Sequence, residues 1–345
     1  MWFAAVHIGA GKHGRDTAAA EASMRVALDA AGRVLASGGT AVAAAEAAVI
    51  VLEDADATNA GCNGPHVNLT TDGRVQTDAS VADGATGMIG CCGAVEGVRN
   101  PISLAAHLLR NQEAHQEDAR QPPLFLVGDG AVAAAREAGL STIDYSLEPV
   151  HASALKKHED KAAQFLLDTV GAICLDSSGV AAAAVSSAGI ALKQPGRVGH
   201  AGCPRMGCCA RIGSSTYAFS CTGRGEHLMQ AGLLQHLERH IVRSEAPLNT
   251  IINDTFQEAK EWNGGYPVEG GVIGFVRRNG AAKKRRRDES SPRVKPQVDF
   301  FTAFSTPSMG IGMLSSSDTA PHTHILRMAN PGSLSVHVCT IAGKS

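Results

Sequence analysis

Residues 166–199 read LLDTVGAICLDSSGVAAAAVSSAGIALKQPGRVG, and the rest of the chain is organised around them. Val170 to Leu175 is a short apolar run with β-branched members. Asp176-Ser177-Ser178-Gly179 is a turn cluster, and Val180 to Ser187 is a second run of small and β-branched residues. Two such runs joined by a short loop ending in Gly read as a β-hairpin. Pairing Asp176 with Val180 sets Thr169 directly opposite Ser187 on the same face, with Cβ atoms about 5 Å apart. A bulge at the glycine would slip this register by one residue. An Asp-Thr pair at a strand start is ordinary, because Thr suits strands. What marks this hairpin is the sequence after it. Ser186-Ser187-Ala188-Gly189 puts hydroxyls at the far strand end, and Pro195-Gly196-Arg197-Val198-Gly199 carries one arginine in a loop stiffened by Pro and loosened by Gly.

Upstream, Trp2 to Ile8 reads as a strand, followed by Gly9-Ala10-Gly11-Lys12-His13-Gly14 and a helix from Asp16 to Leu35. This G-x-G-x-x-G is the strongest rival signal, since such a turn can aim amides at a phosphate. Thr40 to Asp54 then reads as helix, where a dinucleotide fold needs a second strand ending in an acid about 20 residues on. Ala55 to Pro65 is a Gly/Asn-rich loop whose Asn59 offers an amide donor. Asn68 to Ser80 reads as a second hairpin about Asp72-Gly73, Met88 to Val95 as a buried strand and Pro101 to Arg110 as a helix. Phe125 to Val127 reads as a strand and Ala131 to Ala138 as a helix. Residues 140–167 are polar, mixed in charge and without period, a linker leading straight into Asp168-Thr169.

Downstream, Tyr217 to Cys221 reads as a strand running into Thr222-Gly223-Arg224-Gly225, and Glu226 to Ile241 as a helix. Backbone amides exposed at such a junction form an anion or oxyanion site. A further helix is expected at Leu248 to Trp262, with strands at Gly271 to Arg277, Val298 to Phe304, Met309 to Ser315 and near Ser335 to Thr340. Residues 279–297 form a basic loop insertion, with Lys283-Lys284-Arg285-Arg286-Arg287 flanked by Gly, Ser and Pro. That run fits a nuclear import receptor. No aromatic interleaves it, so nucleic acid is not an expected partner.

The bulk numbers agree with a close-packed layered protein. The 345 residues are 44% hydrophobic but only 4% aromatic, so the core is built from small side chains. A net charge of −2 creates no field toward nucleic acid or membrane. The nine cysteines are odd in number and fit no disulfide or zinc spacing, so they are expected to be reduced and no metal or cofactor is expected. No apolar run is long enough to span a bilayer, and Met1 to Val6 lacks a signal-peptide pattern. G-x-S-x-G and H-E-x-x-H are absent.

Three ordered blocks, DTVGA from Asp168, VSSAGIALKQPGRVG from Val185 and SCTGRGEH from Ser220, resemble the plant-type asparaginase group of N-terminal nucleophile (Ntn) hydrolases. Within that group they are most similar to the threonine aspartase (taspase) branch. The likeness extends to VHIGAGKH from Val6, LED and TNAG in residues 52–61, Asp78-Ala79-Ser80 with Asp83-Gly84, GAVEGVRNP from Gly93, PSMGIGML from Pro307 and THILR from Thr323. The resemblance implies one α+β Ntn domain over 1–345, a four-layer αββα sandwich. It also implies cleavage between Asp168 and Thr169 into parts 1–168 and 169–345, which stay together as an αβ heterodimer or (αβ)2. Freed Thr169 would be the nucleophile and its own α-amine the base. An unperturbed α-amine has a pKa of about 7.7–8.0, so no histidine is needed.

By the same resemblance Ser187 matches the hydroxyl opposite the nucleophile, Thr222 and Gly223 the oxyanion site, and Arg197 the grip on a substrate carboxylate. Gly9, Asn59, His200 and Gly225 are the further expected substrate contacts. Asparaginases carry Asp three residues after the arginine, to bind the α-amine of a free amino acid; here that residue is His200. The expected substrate is therefore an aspartate inside a protein, with an isoaspartyl peptidase/L-asparaginase, or a non-catalytic binding protein of this fold, as the alternatives. The basic run points to nucleus and cytoplasm, although in the taspase branch the basic signal precedes the nucleophile.

Overall fold

The computed structural model describes residues 1–62, 67–114, 121–143, 169–278, 297–330 and 332–342. Asp168, residues 144–167 of the expected linker and 279–296 of the basic insertion, Lys283 to Arg287 included, lie outside the described residues.

The N-terminal half supplies β1 (Phe3–Gly11), α1 (Ala18–Ala36), α2 (Ala41–Glu53), β2 (Thr77–Asp83), β3 (Ile89–Val95), α3 (Pro101–Ala114), β4 (Phe125–Val127) and α4 (Gly128–Glu137). The C-terminal half supplies β5 (Val170–Leu175), β6 (Ala181–Ser187), β7 (Cys208–Ile212), β8 (Ser215–Gly223), α5 (Gly225–Ala231), α6 (Leu233–Arg243), α7 (Leu248–Trp262), β9 (Gly270–Arg278), β10 (Gln297–Phe304), β11 (Ser308–Ser315), β12 (His322–Arg327) and β13 (Ser335–Ala342). They form an eight-stranded sheet, ordered β12-β11-β1-β5-β6-β2-β3-β4, and a five-stranded sheet, ordered β13-β10-β9-β8-β7. The fold is the expected four-layer αββα sandwich.

Alternation along the strands makes the layers. In β1, Ala4, Val6 and Ile8 face α1–α4, while Phe3 and Ala5 face the other sheet. In β5, Val170, Ala172 and Cys174 join the helical core, and Ile173 and Leu175 the core between sheets. Tyr217, Phe219 and Cys221 of β8 pack instead on α5–α7. The period of two assigns each residue to a face. Alanine-rich β6, buried throughout, lets both neighbouring layers approach closely. Phe3, Phe275 and Phe300 fill the space between the sheets, with ring centroids 5.9 and 5.6 Å from Phe3.

Several expectations change. β1 runs past the expected end at Ile8 to Gly11, so Gly9 and Gly11 belong to a strand, in keeping with the rejection of a dinucleotide turn there. A bulge between Ile8 and Ala10, with Gly9 at φ +73°, kinks the strand there. The 68–80 hairpin reduces to one Leu69–Val75 bridge, because Thr77–Asp83 pairs with β3 and β6 instead. The single helix expected over 226–241 is two, broken at Gly232 with φ +57°. β7 and β12 had no sequence signal strong enough to be read; both end in charged or exposed residues.

Candidate active site

The central hairpin has the register its turn demands. Val170 faces Ser186 and Leu175 faces Ala181, and the Asp176 N–H donates to the Val180 carbonyl at 3.0 Å. The Asp176 carboxylate accepts the Ser178 and Val180 amides at 2.9 and 3.0 Å, which holds the turn without a bulge. One residue beyond β5, Thr169 lies opposite Ser187 on the face toward the second sheet. Its hydroxyl donates to Ser187 Oγ at 3.1 Å, and the Gly189 N–H donates to the same oxygen at 3.0 Å. Gly9 N–H donates to the Thr169 carbonyl at 3.0 Å, so the β1 bulge steadies the backbone of the threonine.

β8 brings the remaining groups across the sandwich. Thr222 is buried and its Oγ1 accepts the Ala10 N–H at 3.2 Å, tying the two sheets together next to the site. Gly223 has φ +141°, and a Cβ there would lie 2.4 Å from Gly270 Cα and 2.5 Å from the Glu269 carbonyl oxygen. Only glycine fits this approach. Thr169, Ser187, Arg197, His200, Gly223 and Gly225 line one pocket.

The charges around the pocket are tightly held. Arg197 Nε and Nη2 donate to Glu226 Oε1 and Oε2 at 2.9 and 2.8 Å. Burial disfavours the Glu226 charge, but the Arg197 fork outweighs it and keeps its pKa below the usual range. Burial, reinforced by Arg197, pushes His200 down to about 4, so its imidazole is neutral at pH 7. His200 Nε2 lies 3.3 Å from the Cys221 carbonyl, which requires the proton on Nε2. Beneath the site, Asp78 accepts the Ala94 and Gly199 amides at 2.9 and 2.8 Å, and burial raises its pKa. Buried Lys193 donates to the Gln76 and Ala188 carbonyls at 2.5 and 3.0 Å; burial lowers its pKa while Asp78 opposes the shift. His7, on β1, is bonded to Ser220 Oγ at 2.8 Å and held neutral down to about 3 by burial and by nearby His200.

The structure thus brings Thr169, Ser187, Thr222, Gly223, Gly225, Arg197 and His200 together from four segments, with Gly9 bonded behind the threonine. Asn59 is buried in the loop after α2 and does not line this pocket. Asp78, Lys193, Glu226 and His7 were not singled out from sequence. Asp78 stood in a quoted Asp-Ala-Ser motif, and Lys193 is a lone cation in an apolar stretch, a signal that could have flagged a buried partner. Chemically the pocket offers a hydroxyl against a hydroxyl acceptor, a glycine-lined wall and one arginine.

Comparison with known proteins gives the family of the chain. The asparaginase family model (Asparaginase_2) matches residues 1–292. An isoaspartyl peptidase/L-asparaginase from Macaca fascicularis is 34% identical over 241 residues, covering 68% of this chain and 71% of that protein. A plant-type L-asparaginase from Pyrobaculum calidifontis is 34% identical, covering 66% of this chain and 76% of that protein. An isoaspartyl peptidase from Escherichia coli is 30% identical, covering 66% and 73%. The chain belongs to the asparaginase family of N-terminal nucleophile hydrolases.

Proposed function

We propose that this hydrolase is a self-processing threonine endopeptidase that cuts proteins after aspartate. In this reading the Asp168–Thr169 bond is cut first, giving parts 1–168 and 169–345 that remain associated. Thr169 Oγ1 then attacks the scissile carbonyl while its freed α-amine takes the hydroxyl proton. The resulting oxyanion meets donors at Thr222 and Gly223, the α-ammonium returns a proton to the leaving amine, and water resolves the ester by the same route. Ser187 orients the nucleophile and Arg197 pairs with the aspartate carboxylate.

The observation that carries the endopeptidase reading is the neutral, buried His200 beside Arg197. An amino-acid substrate needs a negative group for its ammonium. The pocket's position for one is an uncharged imidazole. Pairing into (αβ)2 and nuclear import through Lys283 to Arg287, with activity in nucleus and cytoplasm, belong to the same proposal. The second reading, an isoaspartyl peptidase/L-asparaginase, is favoured by the names of the relatives at 30–34% identity.

The test uses the full chain and its Thr169→Ala variant on denaturing gels with N-terminal sequencing, then three substrates. These are a peptide with internal Asp, a β-aspartyl dipeptide and free asparagine. Processing at Thr169 in the wild type only, with cleavage of the internal-Asp peptide, is expected. Turnover of the dipeptide and asparagine alone replaces the first reading by the second.

A further inference from the structure

Arg197 is enclosed on most sides by segments that carry no side chain. An added Cβ on Gly199, Gly225 or Gly189 would fall 2.9, 2.9 or 3.1 Å from its guanidinium nitrogens. The Nε–Nη2 edge is filled by Glu226 in the parallel two-bond geometry that a substrate carboxylate would itself use. The partners differ in freedom. The Arg197 side chain is 15% exposed and that of Glu226 is 49% exposed, so the arginine is fixed and the glutamate can turn outward. Glu226 starts from the first turn of α5, where a negative charge is favoured, two residues beyond the Gly223-Arg224 junction.

We infer that Glu226 is a built-in competitor: it occupies the carboxylate grip at rest and gives way as an anionic ligand takes its place, which sets the affinity of the site. This rests on the reading of Arg197 as that grip. Exchange of one carboxylate for another keeps the arginine paired throughout, so entry exposes no bare buried cation. The cost of entry is the pair that is broken. For a half-exposed bidentate pair that corresponds to a ligand affinity about two- to fivefold weaker than an unoccupied grip would have.

Succinate, a simple dicarboxylate, is the probe. Its binding to the processed protein is measured by calorimetry for wild type, Glu226→Gln and Glu226→Asp. In parallel, kcat and KM are measured on an internal-Asp peptide. The Gln variant should bind succinate about two- to fivefold more tightly and show KM lowered by the same factor. The Asp variant, whose carboxylate is one methylene short of the fork, should move the same way and serves if the Gln variant fails to fold. Unchanged or weaker succinate binding overturns the inference and makes Glu226 a residue that orients Arg197 for its ligand. Succinate binding needs no turnover, so a protein that cuts no peptide would fail the endopeptidase reading while this result still stands.

Discussion

Replacing Gly223 by Ala tests the geometry that joins the two sheets at the site. The added methyl would lie 2.4 Å from Gly270 Cα and 2.5 Å from the Glu269 carbonyl oxygen, both backbone atoms. Ordinary contact begins near 3.4 Å, so the ends of β8 and β9 must part by about 1 Å. The backbone angle of +141° adds a conformational cost of about 1–3 kcal/mol for a residue with Cβ. Overpacking adds roughly 1–3 kcal/mol more. The sum, about 2–6 kcal/mol, corresponds to a fall in Tm of roughly 3–8 °C for a chain of this size. On the proposed role of Gly223 at the oxyanion, a displacement of an ångström should also slow turnover by about 10²-fold or more. Gly139→Ala is the control: its φ is +68° and nothing lies within 4 Å of the new Cβ, so only a left-handed penalty of about 1–2 kcal/mol applies. Thermal unfolding of both variants, with peptide hydrolysis and gel analysis of processing, measures the difference. If Gly223→Ala melts with Gly139→Ala and keeps wild-type turnover, the close approach of β8 to β9 does not constrain the site.

Two further perturbations address buried charge. Burial lifts Glu53 from 4.5 to about 8, although the Ile102 amide donates to its Oε1 at 3.0 Å. The folded chain therefore keeps a proton that the unfolded chain gives up, so this glutamate's contribution is fullest below pH 4.5 and is lost as pH rises to about 8. Glu53→Gln should remove a slope of about 1.4 kcal/mol per pH unit across that window and stabilise the protein most at pH 8; urea titrations giving parallel pH profiles for wild type and variant would contradict this. Lys193→Met deletes the cation opposing the buried Asp78 charge together with two hydrogen bonds. It should cost about 3–5 kcal/mol by chemical denaturation, and a loss under about 1 kcal/mol would mean that the Ala94 and Gly199 amides suffice for Asp78.

The hairpin was legible because its information is local. The Asp176-to-Gly179 turn and the alternation of two short runs are enough to choose a register, and register alone placed Thr169 opposite Ser187. Most element boundaries followed from the same local rules, as in β4 and α7. What failed was non-local. Thr77–Asp83 took β3 and β6 as partners in place of the nearby turn, because burial on both faces of the sheet outweighs a tight-turn signal. The strand expected to end at Ile8 continues to Gly11, because pairing with β11 carries it past the bulge at Gly9. Glu226 read as a helix start, and nothing in its neighbourhood announced an arginine 29 positions earlier.

Sequence by itself therefore determined the layered α+β class, the position of Thr169 at a strand start opposite Ser187, and the chemical types available: one threonine, one serine, one arginine and a histidine. Tertiary structure decided which of them meet. The second sheet brings Thr222 and Gly223 over Thr169, and glycines from three segments close around Arg197. Burial makes His200 neutral, and the start of α5 sets Glu226 on the arginine. Those outcomes depend on desolvation and on distances between segments far apart in the chain, and neither quantity exists until the sheets have packed.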